Sequence, residues 1–397
     1  MKILWVKTDF LHPTTRGGQI RTLETLRRLH REHEIHYVGY EFPGQLEGPA
    51  RAHEYSTRHY SVPHDVPAKT SPRFAAQLAA GLLSPLPVAV SRYQSEAMRH
   101  QVAELVARER FDSVVCDFLF PAPSIPDLSR CVLFQHNVET MIWRRHMEHA
   151  GDPVRRWYLQ KQSEKMFAFE RAVCRKAGFV IAVSEQDAAV MRREFDIAHV
   201  ESVPTGVDVE YFVRRPDSGT PFDLIFVGSM DWMANIDGAK WFFEAIWPEI
   251  QQRKPNCRVA LVGRDPSSKL REQAVACGVT VTGTVADVRP YLWGATVSIV
   301  PLRVGGGTRL KIFEAMAAGC PVVSTSVGAE GLPVTDGKHL RIADEPAAFA
   351  AACLELLNGA EQRHRLAEQA LALVTAEFSW EASAQQFARL LEQGPRP

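Results

Sequence analysis

The feature that most constrains this chain is a rhythm that occurs twice: short β-rich apolar runs alternating with helix-length amphipathic segments. In the first half the runs are KILWV, EIHYVGY, SVVCDF, CVLFQH and GFVIAVS; in the second they are DLIFVGS, RVALVG, VTVTG, VSIVPL and PVVST. Strands that are apolar along their whole length are buried on both faces, which calls for parallel sheets covered by helices. Between the first two runs Ile20, Leu23, Leu26 and Leu29 recur at three-residue intervals, predicting a helix over 19–32. Residues 141–176 read as one or two long helices, and further helices are expected around 241–252, 269–277 and 309–318. At 397 residues the chain exceeds one ordinary core, so each series is expected to be a Rossmann-like domain. The stretch 203–223 carries Pro204, Gly206, Pro216, Gly219 and Pro221 without periodicity, the chemistry of a connection. Ligands of open α/β sheets bind at the carboxyl ends of strands, so two facing sheets would hold a substrate in the cleft between them.

Charge and cysteine usage narrow the function classes. Forty-six basic residues balance 46 acidic ones, so no whole-chain field attracts nucleic acid, and none is expected as a partner. Seven cysteines without a CxxC pair fit reduced, mostly buried thiols in the cytoplasm, and a metal site is not expected. The opening MKILWVKTDF has an apolar stretch too short for a secretory leader and reads as a first strand. The run 74–90 is broken by Gln77, Ser84, Pro85 and Pro87, so it does not span a bilayer. With Lys69, Arg73, Arg92 and Arg99 nearby, it either touches the inner membrane face peripherally, or is a helix that packs on the first sheet or lines the acceptor pocket.

The segment that carries chemistry is VSIVPLRVGGGTRLKIFEAMAAGCPVVSTSVGAEGL, at 297–332. Gly305, Gly306 and Gly307 expose backbone N–H groups in a sharp turn, and Thr308 is a candidate N-cap for the helix that follows. Arg309 and Lys311 put two cations where they oppose the helix dipole; a bound diphosphate reverses that sign. The loop lacks the GKS/T ending of a Walker loop. Glu314 follows in an otherwise apolar helix (IFEAMAAG), where a carboxylate wants donors such as the two hydroxyls of a ribose.

The stretch FEAMAAGCPVVSTSVGAEGL resembles the donor-binding signature of glycosyltransferase family 4, the retaining nucleotide-sugar transferases of GT-B fold. Further matches fall in the family's order: Gly17–Gly18, QHNVE (135–139), VIAVSE (180–185), VPTGVD (203–208), FVGSMDWMANIDGAKWF (226–242), LVGRDP (261–266), VTGTVADVRPYLWGATVSIVPL (281–302) and FSWEASAQQF (378–387). The resemblance implies α/β architecture with two facing Rossmann-like domains and an interdomain cleft. It divides the chain into an acceptor-binding domain at 1–203, a linker at 204–222, a donor-binding domain at 223–377 and a final helix at 378–397 crossing back to the first domain. It implies that Glu314 binds the ribose and that Gly305–Thr308, Arg309 and Lys311 hold the diphosphate with Gly17 and Gly18 opposite. Gly228, Ser229, Gly263, Arg264 and Val285 would line the nucleotide, and His136 would approach the donor sugar. Glu139 reads equally as a helix-capping carboxylate or an acceptor contact. Asp117 reads as orienting the acceptor hydroxyl or as capping a turn.

Two positions depart from the family pattern. Where the family places a first glutamate, separated from the second by seven residues, this chain has Gly306. Where it often presents an Arg and a Lys after the first strand of the donor domain, this chain has Ser229 and Asn235, and Arg309 with Lys311 would restore the two charges. The implied activity is retaining, metal-independent transfer of a hexose-type sugar from a nucleotide diphosphate sugar, a co-substrate rather than a cofactor, to a saccharide, lipid-linked glycan or small-molecule hydroxyl, in surface polysaccharide or glycoconjugate synthesis. No Asp-x-Asp motif stands here to hold a metal. A nucleotide-sugar epimerase of the same fold and a non-catalytic nucleotide-sugar-binding protein remain open beside it.

Overall fold

Alternate residues of the first strand enter different cores. Ile3 and Trp5 pack on one face of the sheet, Leu4 and Val6 on the other, and all four are fully buried. This two-sided burial explains the uninterrupted apolar runs. The computed structural model describes every residue except 15–16, 69–70, 149–151, 215–218, 231, 265, 305–309 and 396–397. The chain divides into two compact units, Met1–Thr205 with Ser383–Pro397, and Gly206–Ala382.

In the first unit the strands are β1 (Lys2–Val6), β2 (Glu34–Glu41), β3 (Arg58–Pro63), β4 (Ser113–Asp117), β5 (Val132–Phe134), β6 (Phe179–Ala182) and β7 (Val200–Ser202). They pair in parallel in the order β3-β2-β1-β4-β5-β6-β7. The second unit contains β8 (Phe222–Val227), β9 (Val259–Val262), β10 (Thr280–Gly283), β11 (Ala295–Val300), β12 (Val322–Ser324) and β13 (Arg341–Ile342). Their order is β10-β9-β8-β11-β12-β13, again parallel. In each sheet the chain reverses direction of travel beside its first strand. That point lies between β1 and β4 in one unit and between β8 and β11 in the other, where doubly wound folds bind ligands.

Ten of these strands match the apolar runs. The sequence pattern misses three edge strands, β3, β7 and β13; β7 and β13 are only three and two residues long, and β3 is solvated over most of its length and lacks the fully apolar signal. The stretch 141–176 forms two helices, Glu139–Glu148 and Pro153–Lys176. Met233–Trp241 and Trp247–Arg253 are joined by one π-helical stretch, Phe242–Ile246. The segment with linker composition carries a short helix, Val209–Phe212, and buries Val207 and Phe212 in the second unit's core. Phe212 is fastened there by Trp293, whose Nε1 donates to its carbonyl at 2.8 Å. The final helix runs Trp380–Gln393; from Ser383 on it belongs to the first unit, where Phe387 packs on Trp5 and Phe134.

Candidate functional site

At the reversal point of the first unit, the carboxyl ends of β1 and β4 bring Lys7 and Asp117 together. Asp117 closes β4 with no exposure to solvent. Its Oδ1 accepts from Lys7 Nζ at 2.7 Å and His136 Nε2 at 2.7 Å, and its Oδ2 from Trp5 Nε1 at 2.8 Å and Thr22 Oγ1 at 2.7 Å. Burial alone would raise this carboxyl's pKa; Lys7 and His136 outweigh it and hold Asp117 below the ordinary carboxylate range. Read from sequence as orienting an acceptor hydroxyl or capping a turn, Asp117 has both oxygens engaged by protein donors.

The neighbours fix the state of His136. Its Nδ1 lies 3.2 Å from Arg21 Nη1, a group that only donates, so Nδ1 accepts and the proton sits on Nε2, towards Asp117. Burial pulls the imidazole down to about 4, Lys7 and Arg21 assisting against the pull of Asp117. His136 is therefore neutral near pH 7. Arg21, from the helix Gly17–Leu29, is buried too, donates through Nε to Thr205 Oγ1 at 2.7 Å, and is drawn down by burial to about 10. Gly17 and Gly18 open that helix, and a side-chain carbon at Gly18 would stand 3.5 Å from His136 Nδ1. That is ordinary van der Waals contact, so the imidazole packs against this turn without itself demanding a glycine.

A second buried polar group adjoins this network. Glu139 begins the helix Glu139–Glu148, but the carboxylate that caps that helix comes from elsewhere. Glu170 accepts from the backbone N–H groups of Glu139 at 2.9 Å and Thr140 at 2.8 Å, from Thr140 Oγ1 at 2.6 Å and from Gln135 Nε2 at 3.1 Å. Burial raises Glu170 to about 7. Glu139 is raised to about 8, first by burial and then by repulsion from Glu170. The two carboxyls hold protons that exposed glutamates would have lost.

Among the described residues, the second unit's reversal point is built from glycines, Asn235 and the long cation of Lys311. Gly228 and Ser229 follow β8, and Gly263 and Arg264 follow β9. Gly263 has φ of +150°, and a Cβ there would fall 1.8 Å from the Gly228 carbonyl oxygen. Only glycine fits this crossing of two backbones. Asn235, buried in the next helix, donates through Nδ2 to the Ser229 carbonyl at 2.7 Å and accepts from Lys311 Nζ at 2.6 Å. Lys311 thus reaches from the helix after β11 to the loop after β8, and its Nζ lies 5.1 Å from the Phe226 ring centroid. Glu314 sits one turn further along the same helix, Leu310–Ala317, half-buried. Burial raises its pKa and Lys311 lowers it; among the described residues its carboxylate has no hydrogen-bond partner. Val285 is partly buried against the second core, and Arg264 is exposed.

Of the residues singled out by sequence, the fold gathers Gly18, Asp117 and His136 in the first unit, with Glu139 beside the caps of its own helix. It gathers Gly228, Ser229, Gly263, Lys311 and Glu314 around the second unit's strand ends. Gly305, Gly306, Gly307, Thr308 and Arg309 lie outside the described residues. Trp5, Lys7, Arg21, Thr22 and Glu170 were not legible as site residues. They sit in strands and helices of ordinary pattern, and only the hub at Asp117 or the helix start at Glu139 gives them a role. Asn235 was visible only as a departure from the family pattern.

Two family models match the chain: Glycosyltransferase Family 4 over residues 15–211 and Glycosyl transferases group 1 over residues 221–359. Among curated relatives, a phosphatidyl-myo-inositol mannosyltransferase of Mycobacterium tuberculosis is 29% identical over 205 residues, covering 48% of this chain and 53% of the relative. The chain spans about half the length of the curated relatives it matches. Among solved structures, a sucrose-phosphate synthase of Thermosynechococcus elongatus superposes with a TM-score of 0.68 at 17% identity, covering 99% of this chain and 98% of that one. HepE of Anabaena, in complex with UDP and glucose, gives 0.67 at 14% identity over 99% of this chain and all of the other. These likenesses are of fold: two parallel-sheet α/β units in the GT-B class.

Proposed function

Because this chain belongs to the family 4 glycosyltransferases (glycosyl transferases group 1), we propose that it moves a hexose-type sugar from a nucleotide diphosphate sugar to a hydroxyl of a saccharide, lipid-linked or small-molecule acceptor, retaining configuration and without a metal. The observation that carries this reading is Glu314: a desolvated carboxylate without a protein partner among the described residues, one turn from Lys311 and beside a strand end. Two ribose hydroxyls supply the donors it lacks. Lys311, held on Asn235, then faces the diphosphate and offsets the negative charge that grows on it as the bond from the anomeric carbon breaks. The electron pair of that bond passes to the leaving phosphate oxygen, which takes the proton of the attacking hydroxyl on the same face.

His136, neutral and fixed with its proton on Nε2, supports a binding role rather than an acid–base one, since a buried imidazole titrating near 4 is a weak base. A relative from Klebsiella pneumoniae, a 44.6 kDa protein of the cps region 26% identical over 151 residues, supports surface polysaccharide assembly as the setting. A cytoplasmic site of action is supported by seven free cysteines, and no described helix is long and apolar enough to cross a membrane.

The test is thermal stabilisation by UDP, GDP, ADP and dTDP, each with and without its common sugars. At 100 times its dissociation constant the right nucleotide adds about 2.7 kcal/mol to stability. Glu314→Gln removes that gain while leaving the unliganded chain folded. If no nucleotide stabilises the chain, or if the variant responds as the parent does, the donor-site reading falls.

A further inference from the structure

The first unit holds a cavity of about 420 Å3 that the donor chemistry does not use. It opens where the chain leaves β1, β2 and β3, and Asp9, His12, Phe42, Asp65, Arg92 and Tyr93 are among its walls. Its size is that of a small-molecule site, and its lining mixes aromatic faces with carboxylates, the groups that meet the C–H face and the hydroxyls of a sugar ring.

The charges in this cavity are not equally committed. Asp9 accepts from Gln19 Nε2 at 2.9 Å, and Asp65 pairs with Arg73 at 2.9 Å. Arg92 differs from both. Among the described residues its guanidinium donates to no protein acceptor, and its Nε is buried without a hydrogen-bond partner. The head group is nonetheless positioned: it lies 5.5 Å from the Tyr93 ring centroid and 6.0 Å from that of Phe74. Its backbone is fixed as well, because His64 Nε2 donates to the Arg92 carbonyl at 2.9 Å. A rigid fork of donors, oriented by two rings and left unfilled by the protein, matches an oxyanion in two-point geometry.

We propose that this cavity is the acceptor subsite and takes a saccharide that bears an oxyanion, a carboxylate or a phosphate monoester, gripped by Arg92. That the bound anion belongs to the acceptor rests on the transferase reading; that an anionic sugar binds here does not. The proposal narrows the acceptor from any hydroxyl compound to an acidic sugar, free or at the end of a larger glycan.

Binding is measured by calorimetry on the full chain without nucleotide. The probes are methyl glucuronide, methyl galacturonide and glucose 6-phosphate, against the neutral methyl glucoside and galactoside and inorganic phosphate at matched ionic strength. At least one acidic sugar is expected to bind tenfold or more tighter than its neutral counterpart and than inorganic phosphate, and which one binds identifies the anion. Arg92→Gln should lose at least tenfold, Arg92→Lys should recover part of it, and exposed Arg108→Gln should change nothing, with unfolding midpoints of all three near the parent's. Equal binding of neutral and acidic sugars, unaltered binding by Arg92→Gln, inorganic phosphate binding as tightly as the sugar phosphate, or no binding at all would overturn the proposal. Acidic-sugar binding that persists when no nucleotide stabilises the chain keeps the subsite and removes only the transferase reading.

Discussion

The two reversal points occupy the same topological place in their sheets and are built in opposite ways. In the first unit, Asp117 is enclosed by Lys7, Trp5, Thr22 and His136, and Arg21 closes the ring of donors. In the second, glycines leave the backbone bare, one lysine is anchored on Asn235, and Glu314 has no partner among the described residues. One region is complete before any ligand arrives; the other needs one. Pre-assembly holds a neutral histidine in a single tautomer, whereas an unfilled carboxylate keeps affinity in reserve for a diol.

The contrast is broken most severely at the two carboxylates themselves. Asp117→Asn puts an amide N–H₂ among four donors and leaves Lys7 buried without its counter-charge, so urea unfolding should show a loss of about 3–5 kcal/mol. Glu314→Gln should leave that same measurement within about 1 kcal/mol of the parent, because a desolvated, unpartnered charge is removed. Comparable losses at both would show that the second region is as self-satisfied as the first.

The glycines give a smaller test of the same difference. Gly263→Ala forces a Cβ against the Gly228 carbonyl at a φ that side chains avoid, and should cost about 3 kcal/mol. Gly17→Ala, at an open helix start with nothing within 4 Å, should stay within about 1 kcal/mol and can be stabilising. A tolerant Gly263 would mean that the two strand-end loops are not held in contact.

The smallest effect is a slope. Glu139 and Glu170 keep protons to about 8 and 7 in the folded chain, above the ordinary glutamate value, so the folded state binds more protons than the unfolded one at neutral pH. Stability from this pair is therefore present at low pH and lost as pH rises through 7 to 8. Below 6.5 the buried, neutral His136 works in the opposite sense, losing stability as pH falls, so the window from 6.5 to 8 isolates the glutamates. Glu139→Gln should flatten the decline there by about 1 kcal/mol in denaturant titrations. An unchanged slope would show that Glu139 carries no extra proton in the folded chain.

Fold class was legible because burial on both faces writes itself into sequence as unbroken apolar runs, as in KILWV and VSIVPL. β3 escaped because an edge strand keeps polar residues, and the short helix at Val209–Phe212 was hidden among prolines and glycines. Glu314 stood out because a lone carboxylate in IFEAMAAG breaks a local rule. Trp5, Lys7, Thr22 and Arg21 break none: each is ordinary in its own element, and only strand order brings them to one carboxylate. Periodicity records which way a residue faces, not which distant residue it meets.

The last turns of the chain have a consequence for the order of synthesis. Phe387 and Leu391 complete the core around Trp5 and Phe134, Ser383 Oγ donates to the Pro204 carbonyl at 2.9 Å, and Gln386 Nε2 donates to that of Ser202 at 2.9 Å. The first unit is thus discontinuous, while Gly206–Ala382 is one uninterrupted stretch. On a ribosome, the unit begun first is the one finished last. Until Phe387 emerges, Trp5 lacks the ring that covers it, and a nascent or nicked chain carries that apolar face uncovered.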